Sequence, residues 1–229
     1  MTRTKRLLLW DIDGTLVNTG GAGVESLKRM VRERFGRTDD LSDIEIAGKT
    51  DRAILRDILR KYNVETNDET IRQFAEDYVA GLKTELPQAH GRVLPGIHEL
   101  LTRTSAQVHI VNALLTGNLQ RGAELKLRHY QLWRFFAFGA FADDHHDRNE
   151  LGRFAIQRAL EATGETFGPE QIDVIGDTPH DISCGKAFGG RTIAVATGSW
   201  SRERLAQHRP DFLFDDLSAV DQVIARLDW

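Results

Sequence analysis

The chain has 229 residues, of which 41% are hydrophobic and 28% charged, a composition ordinary for a globular protein with one core or a core and a smaller insertion. Its net charge of -4 provides no basic surface, so we expect no nucleic-acid partner. No apolar run approaches the roughly 18 residues of a membrane span, and the run at 7–10 is too short for a signal peptide. A single cysteine, Cys184, allows no internal disulfide and fits a reducing compartment. We therefore expect a soluble, cytoplasmic protein with no membrane partner.

Five short apolar runs predict the strands of a parallel sheet, because strands buried on both faces are apolar throughout. They are residues 7–10, 108–111, 172–175, 193–196 and 212–214. Amphipathic helical patterns occupy 119–129, 150–162, 179–188, 202–208 and 217–227. This alternation predicts an α/β fold in which helices flank a Rossmann-like parallel sheet.

The interval between the first two predicted strands is too long for a single crossover, and its middle carries three helical apolar faces. Glycines precede this region, and prolines and glycines follow it. We therefore predict an α-helical cap domain at residues 17–94. It would be inserted into a catalytic core formed by residues 1–16 and 95–229.

Two carboxylates, Asp11 and Asp13, directly follow the first strand. Ligands of open α/β sheets bind outside the carboxyl ends of strands, so this pair lies where a site is expected. Acids in such a position are costly unless they are paired or coordinate a cation. The alternative interpretation is an ordinary Asp-Gly turn at the surface.

A second acidic pair, Asp177 and Asp181, follows the strand at 172–175. Thr178 and Pro179 suit the N-cap and first turn of a helix, and Asp181 falls where the helix dipole favours an anion. Both acids could also simply accompany a helix start.

A third motif, Thr116-Gly117-Asn118, follows the strand at 108–111 and precedes a helix. A hydroxyl and adjacent backbone N–H groups can form a small phosphate cradle. By itself, Thr116 could equally be an N-cap.

Together these motifs resemble the haloacid dehalogenase superfamily, in its phosphatase branch with a helical cap. Residues 11–15 match the Asp-x-Asp-Gly-Thr motif of that family, and the order of the remaining motifs agrees over essentially the whole chain. The resemblance implies a Mg²⁺-dependent phosphatase that hydrolyses a small phosphomonoester through an aspartyl-phosphate.

The resemblance also implies a role for each residue. Asp11 would be the nucleophile, and Asp13 the general acid and then the general base. Thr116, Gly117 and Asn118 would bind the phosphoryl group. The Mg²⁺ ligands would be the Asp11 carboxylate, the Asp13 backbone carbonyl and Asp177, with Asp181 supporting the metal shell.

The chain departs from the family at the third motif, which is usually a lysine. The corresponding residues, 143–151, contain none. Arg148 is the best substitute, because it precedes the helix and could hold the phosphate or Asp11, and Arg153 is the second choice. Either could instead be a solvated surface arginine. We expect His145 and His146 to be exposed loop residues.

The segment Gly48-Lys49-Thr50-Asp51 resembles a cap loop that reaches the active site in helical-cap phosphatases. Lys49 would then contact the far end of the substrate. The other interpretation, which is compatible with the first, is that Thr50 caps a helix at 51–62 while Lys49 faces solvent.

Other activities known on this fold agree less well with the same residues. Asp13 argues against dehalogenases and phosphonate-cleaving enzymes, which lack this second acid as a family property. A sugar-phosphate mutase keeps it and is the closest alternative. A non-catalytic binding module is disfavoured because Asp11, Asp13 and Asp177 are all present.

Overall fold

The computed structural model describes residues 4–229, so the first three residues of the predicted core lie outside it. In chain order the strands are β1 (Arg6–Trp10), β2 (Val17–Asn18), β3 (Arg92–Val93), β4 (Ile110–Leu115), β5 (Gly139–Ala140), β6 (Ile172–Gly176), β7 (Arg191–Val195) and β8 (Phe212–Phe214). Six of them form one parallel sheet in the order β5-β4-β1-β6-β7-β8, while β2 and β3 form a small antiparallel ribbon.

The helices are α1 (Ala22–Phe35), α2 (Asp51–Lys61), α3 (Asp68–Glu85), α4 (Ile97–Ser105), α5 (Gln120–His129), α6 (Leu151–Thr163), α7 (Pro179–Ala187), α8 (Arg202–Gln207) and α9 (Val220–Leu227). Helices α4, α5 and α9 pack on the sheet face that carries Leu8 and Trp10. Helices α6 and α7 pack on the opposite face, which carries Leu7 and Leu9. Because successive side chains of β1 point to opposite faces, its apolar run serves two cores at once. The predicted α/β fold, with helices flanking a parallel sheet, is confirmed.

The strand predicted at 108–111 was placed too early. The observed strand β4 begins at Ile110, and Val108 lies in the preceding turn, where it is 99% exposed. The apolar pattern of this strand is interrupted because a polar residue, Asn112, occupies the strand interior. This buried amide accepts a hydrogen bond from Trp10 Nε1 (2.9 Å) and donates one to Thr104 Oγ1 (3.0 Å), so it is paired within the core.

Helices α1, α2 and α3 lie between β2 and β3 and share an apolar cluster of their own, which includes Met30, Ile58 and Tyr78. Two residues from the sheet domain, Leu119 and Ala142, belong to the same cluster. The helical cap of the predicted fold is therefore present, and it packs on the core. The proposed limits of the cap, residues 17–94, stay a prediction.

Strands β1, β4 and β6 are neighbours in the sheet and run in the same direction. The residues that follow them, Asp11, Thr116 and Asp177, must therefore emerge at one edge. Between residues 4 and 229, no helix has the length and apolar character needed to cross a membrane.

Replacing Asn112 with Ala should lower the free energy of unfolding by about 1–3 kcal/mol, because the buried N–H of Trp10 loses its acceptor. Urea denaturation would measure this change. The control, Val108→Ala, alters an exposed position and should stay within about 0.5 kcal/mol of the wild type. Equal stabilities for Asn112→Ala and the control would contradict a structural role for the Asn112 hydrogen bonds.

Candidate active site

Three buried carboxylates meet at the carboxyl edge of the sheet. Asp11 follows β1, Asp177 follows β6, and Asp181 lies in the first turn of α7. One oxygen from each lies within 4.8 Å of the others. Asp11 of the first acidic pair therefore meets both acids of the second.

An arginine lies against these acids. Arg148 is buried and donates from Nη2 to Asp11 Oδ1 (2.8 Å) and to Asp181 Oδ1, while its Nη1 donates to the carbonyl of Gly48 (2.9 Å). Arg153, the other candidate, is exposed and pairs with Glu150. Of the two arginines, Arg148 alone has the position expected for the missing lysine, although its role stays a prediction.

The electrostatics of the cluster are dominated by burial. Burial raises the pKa of Asp11 to about 7, and the carboxylates of Asp181 and Asp13 add to this effect while Arg148 opposes it. Burial, followed by the charges of Asp181 and Asp11, also holds the pKa of Asp177 well above its usual range. A nearby cation would offset this accumulation of negative charge.

The donor set suits a hard divalent cation. Carboxylate oxygens are the ligands that Mg²⁺ prefers, and it needs few of them because it keeps several waters. Asp181 is already engaged, since its Oδ2 accepts hydrogen bonds from Thr178 N (3.0 Å) and Thr178 Oγ1 (2.7 Å). This bonding fits a supporting role behind Asp11 and Asp177. The residues present are therefore compatible with the expected Mg²⁺.

Two glycines make room for the carboxylate of Asp177. Gly14 has a positive φ of 80°, which favours glycine, and a Cβ there would collide with Asp177 Oδ2. A Cβ on Gly198 would collide with the same oxygen. The position of Asp177 thus depends on the absence of side chains on both sides.

Thr116 lies next to the nucleophile candidate. It is fully buried, and its hydroxyl stands beside Asp11, where it favours the charged carboxylate and so acts to lower the Asp11 pKa. Its Oγ1 accepts a hydrogen bond from Asn118 Nδ2 (2.8 Å). Thr116 is not the N-cap of the following helix, because α5 begins at Gln120 with Leu119 as its N-cap.

The predicted cap loop lies directly over this motif. The Asp51 N–H donates to the Gly117 carbonyl (2.6 Å), and a Cβ on Gly117 would collide with the carbonyl oxygen of Lys49. Thr50 caps α2, as the sequence indicated, by accepting the N–H of Ala53 (3.2 Å). The loop therefore combines an ordinary helix cap with a position in the site.

Asp13 has partners of its own. Its Oδ2 accepts hydrogen bonds from Asn118 Nδ2 (2.9 Å) and Lys126 Nζ (2.6 Å). Sequence analysis missed Lys126, which belongs to no motif. The available signal was a lysine on the apolar face of α5, beside Ala123 and Leu127.

These groups surround one cavity of about 510 Å³. Seven predicted site residues line it, namely Asp11, Asp13, Lys49, Gly117, Asn118, Arg148 and Asp177. Thr116 and Asp181 lie buried behind them. The cap contributes an apolar wall, which includes Leu27, Ile46 and Ile54. The Nζ of Lys49 lies 3.2 Å from Asp57 Oδ2 and 3.3 Å from Glu45 Oε2.

Residues 8–195 match the family described as haloacid dehalogenase-like hydrolase. The chain belongs to this family. The predicted family is thereby confirmed, as is the prediction that the chain is an enzyme.

Relatives of the chain span nearly its whole length. It is 28% identical over 221 residues to the probable phosphatase IndB of Dickeya dadantii, covering 94% of this chain and 92% of the relative. It is also 28% identical over 224 residues to the pyrophosphatase PpaX of Anoxybacillus flavithermus, covering 95% of each. CbbY from Rhodobacter sphaeroides, solved in complex with phosphate, has the same fold, with a TM-score of 0.75 at 18% identity and coverage of 99% of this chain and 100% of that one.

For this haloacid dehalogenase-like hydrolase, Mg²⁺ should raise the melting temperature more at pH 8 than at pH 5.5. The metal-free folded state holds the Asp11 pKa at about 7, against 3.8 for an ordinary carboxyl. Its stability should therefore fall as pH rises between these two values, because the unfolded chain ionises first. Binding at pH 5.5 must displace a proton, at a cost of about 2 kcal/mol.

At a concentration one hundred times the dissociation constant measured at pH 8, Mg²⁺ would stabilise the fold by about 2.7 kcal/mol, or on the order of 5–10 °C. The shift at pH 5.5 should be less than about half as large. Differential scanning fluorimetry with and without Mg²⁺ would measure both shifts. Equal shifts at the two pH values would contradict binding at Asp11.

Gly198→Ala should weaken Mg²⁺ binding at least about tenfold, because the new methyl group displaces the Asp177 carboxylate. Gly198 is exposed and the group that must move is a side chain, so we expect little loss of stability. Calorimetric titration with Mg²⁺ would test this. Gly122→Ala, in α5, is the matched control, since a Cβ there meets Leu82 and Asp51 only at ordinary van der Waals distances and should leave affinity unchanged.

Proposed function

We propose that the chain is a Mg²⁺-dependent phosphatase that hydrolyses a small phosphomonoester through an aspartyl-phosphate on Asp11. The observation that carries this proposal is the meeting of Asp11, Arg148 and the Thr116 motif at the floor of a single cavity. Membership of a hydrolase family and the phosphatases among its relatives support the same reaction.

In the first step, an oxygen of Asp11 attacks phosphorus and the bond from phosphorus to the ester oxygen breaks. A carboxylate is repelled by an anionic phosphoryl group unless positive charge and N–H donors offset the repulsion. Arg148 orients Asp11 by its 2.8 Å hydrogen bond, and Gly117 and Asn118 line the same cavity. Held by Asp11, Asp177 and the Asp13 carbonyl, with Asp181 behind them, Mg²⁺ would neutralise charge on the phosphoryl oxygens.

Asp13 then acts as the general acid and afterwards as the general base. It gives a proton to the departing ester oxygen, which leaves as an alcohol. In the second step it takes a proton from water as that water attacks phosphorus, and the bond between Asp11 and phosphorus breaks. Inorganic phosphate leaves and Asp13 is again protonated. The side chain of Asp13 is 40% exposed within the cavity, which allows both transfers.

The cap provides the wall that faces the leaving group. Lys49 lines this wall, so contact with the far end of the substrate is part of the proposal. Its ammonium group already lies near two carboxylates, those of Asp57 and Glu45. A cytoplasmic location and the absence of a nucleic-acid partner stay predictions.

The purified enzyme should release inorganic phosphate from a panel of phosphomonoesters, including an aryl phosphate, when Mg²⁺ is present. Asp11→Asn should reduce this turnover by at least about a thousandfold, because the amide is a poor nucleophile. Its melting temperature should not fall, since one of three crowded carboxylates is removed. The control, Asp221→Asn, alters an exposed acid on α9 and should keep full activity.

A wild type that releases no phosphate from the panel would refute the phosphatase. A stable aspartyl-phosphate that transfers only to a sugar hydroxyl would instead identify a mutase. Full activity in Asp11→Asn would refute Asp11 as the nucleophile.

A further inference from the structure

A buried lysine contacts the proposed proton shuttle. Lys126 lies on α5 and is 3% exposed. Its Nζ donates to Asp13 Oδ2 (2.6 Å) and to Asn118 Oδ1 (2.6 Å). Lysines are almost never buried to this degree unless they are paired, so these contacts account for its presence on an apolar helix face.

The two contacts of Lys126 Nζ, to a carboxylate oxygen and to an amide oxygen, both require it to donate. Burial acts to lower the pKa of Lys126, but the carboxylate of Asp13, the Tyr78 phenol and the carboxylate of Asp51 outweigh it and raise that pKa above its usual range. A group that keeps its proton is a poor acid or base at neutral pH. Lys126 is therefore suited to act as a fixed hydrogen-bond donor.

The contacts of Asp13 are asymmetric. Asn118 Nδ2 and Lys126 Nζ both donate to Oδ2, and Asn118 also accepts from Lys126, so the three side chains form a closed ring. Among the residues that the structure describes, none donates a hydrogen bond to Asp13 Oδ1. A carboxyl group that is 40% exposed would otherwise sample several rotamers. The ring selects one of them.

We propose that Lys126 is a positioning residue that holds Asp13 by Oδ2 and thereby presents Oδ1 to the ester oxygen of the substrate. This inference rests on the proposed phosphatase activity. The transferred proton then moves between Oδ1 and the leaving oxygen, while Lys126 neither gains nor loses one.

The cap completes the enclosure of Lys126. Asp51, at the start of α2, accepts the N–H of Leu119 (2.8 Å), which places a cap carboxylate next to α5. A Cβ on Gly23 of α1 would lie 3.5 Å from Tyr78 Oη and 3.9 Å from Lys126 Nζ, so these two polar groups are neighbours. Cap residues thus lie next to the ring that orients Asp13.

The test compares two esters that differ in their need for a proton donor. A 4-nitrophenolate leaves readily without protonation, whereas an alkoxide such as that of 2-phenylethyl phosphate does not. Lys126→Met should lower kcat/KM about 100-fold for the alkyl ester and less than about 5-fold for 4-nitrophenyl phosphate. The parameter kcat/KM is used because it reports the step in which the alcohol leaves. Lys83→Met, on an exposed face of α3, is the control and should change neither value.

Equal losses on the two esters would overturn the inference, since a loss of packing alone would not distinguish leaving groups. Lys126→Arg keeps a cationic donor and should retain the wild-type ratio of the two kcat/KM values within about threefold. In an Asp13→Asn background, adding Lys126→Met should lower kcat/KM for 2-phenylethyl phosphate by less than about threefold, against about 100-fold in the wild type, because Lys126 acts through Asp13. If the two substitutions instead lower kcat/KM independently, Lys126 does not act through Asp13 and the inference is wrong.

An inactive wild type would overturn both this inference and the proposed function, whereas equal losses on the two esters overturn this inference alone.

Discussion

The main physical constraint on this structure is the mutual repulsion of buried carboxylates at one edge of the parallel sheet. Asp11, Asp177 and Asp181 are held within 4.8 Å of one another by strands that pair in register and by the first turn of α7. Such a cluster opposes folding unless positive charge is supplied. Arg148 supplies part of this positive charge. The pKa of Asp11 is nevertheless raised, which indicates that the negative charge of the cluster is not fully compensated. The proposed Mg²⁺ would supply the remaining positive charge.

The two acids of the first motif have the same functional group but different surroundings. Asp11 is buried beside a guanidinium group, whereas Asp13 is half-exposed and bonded to an ammonium group. A nucleophile needs to be rigid and ionised, while a proton shuttle needs contact with both substrate and water. Two residues apart in sequence, the side chains of Asp11 and Asp13 thus suit the two different roles proposed for them, because each has its own counter-charge.

Most of the fold could be predicted from the sequence, because strands buried on both faces leave uninterrupted apolar runs such as residues 7–10. The bounds of β4 were predicted wrongly because a polar side chain that is hydrogen-bonded within the core interrupts its apolar pattern. Asn112 sits inside β4 because Trp10 and Thr104 satisfy its amide, and no local rule anticipates partners so distant in the chain. The proximity of Asp11 and Asp177 could be predicted because each follows a strand of the same sheet. Lys126 could not be assigned a role in the same way, since its partner Asp13 lies 113 positions away and only the fold brings them together.

At the cap loop that carries Lys49, two of the hydrogen bonds to the core use main-chain atoms of the loop. Asp51 N–H bonds to the Gly117 carbonyl, and the Gly48 carbonyl receives Arg148. Backbone groups are the same whatever residue bears them, so the side chain at position 49 can change without opening this contact. If position 49 faces the substrate as proposed, single substitutions there would alter selectivity while the main-chain contacts between loop and core persist.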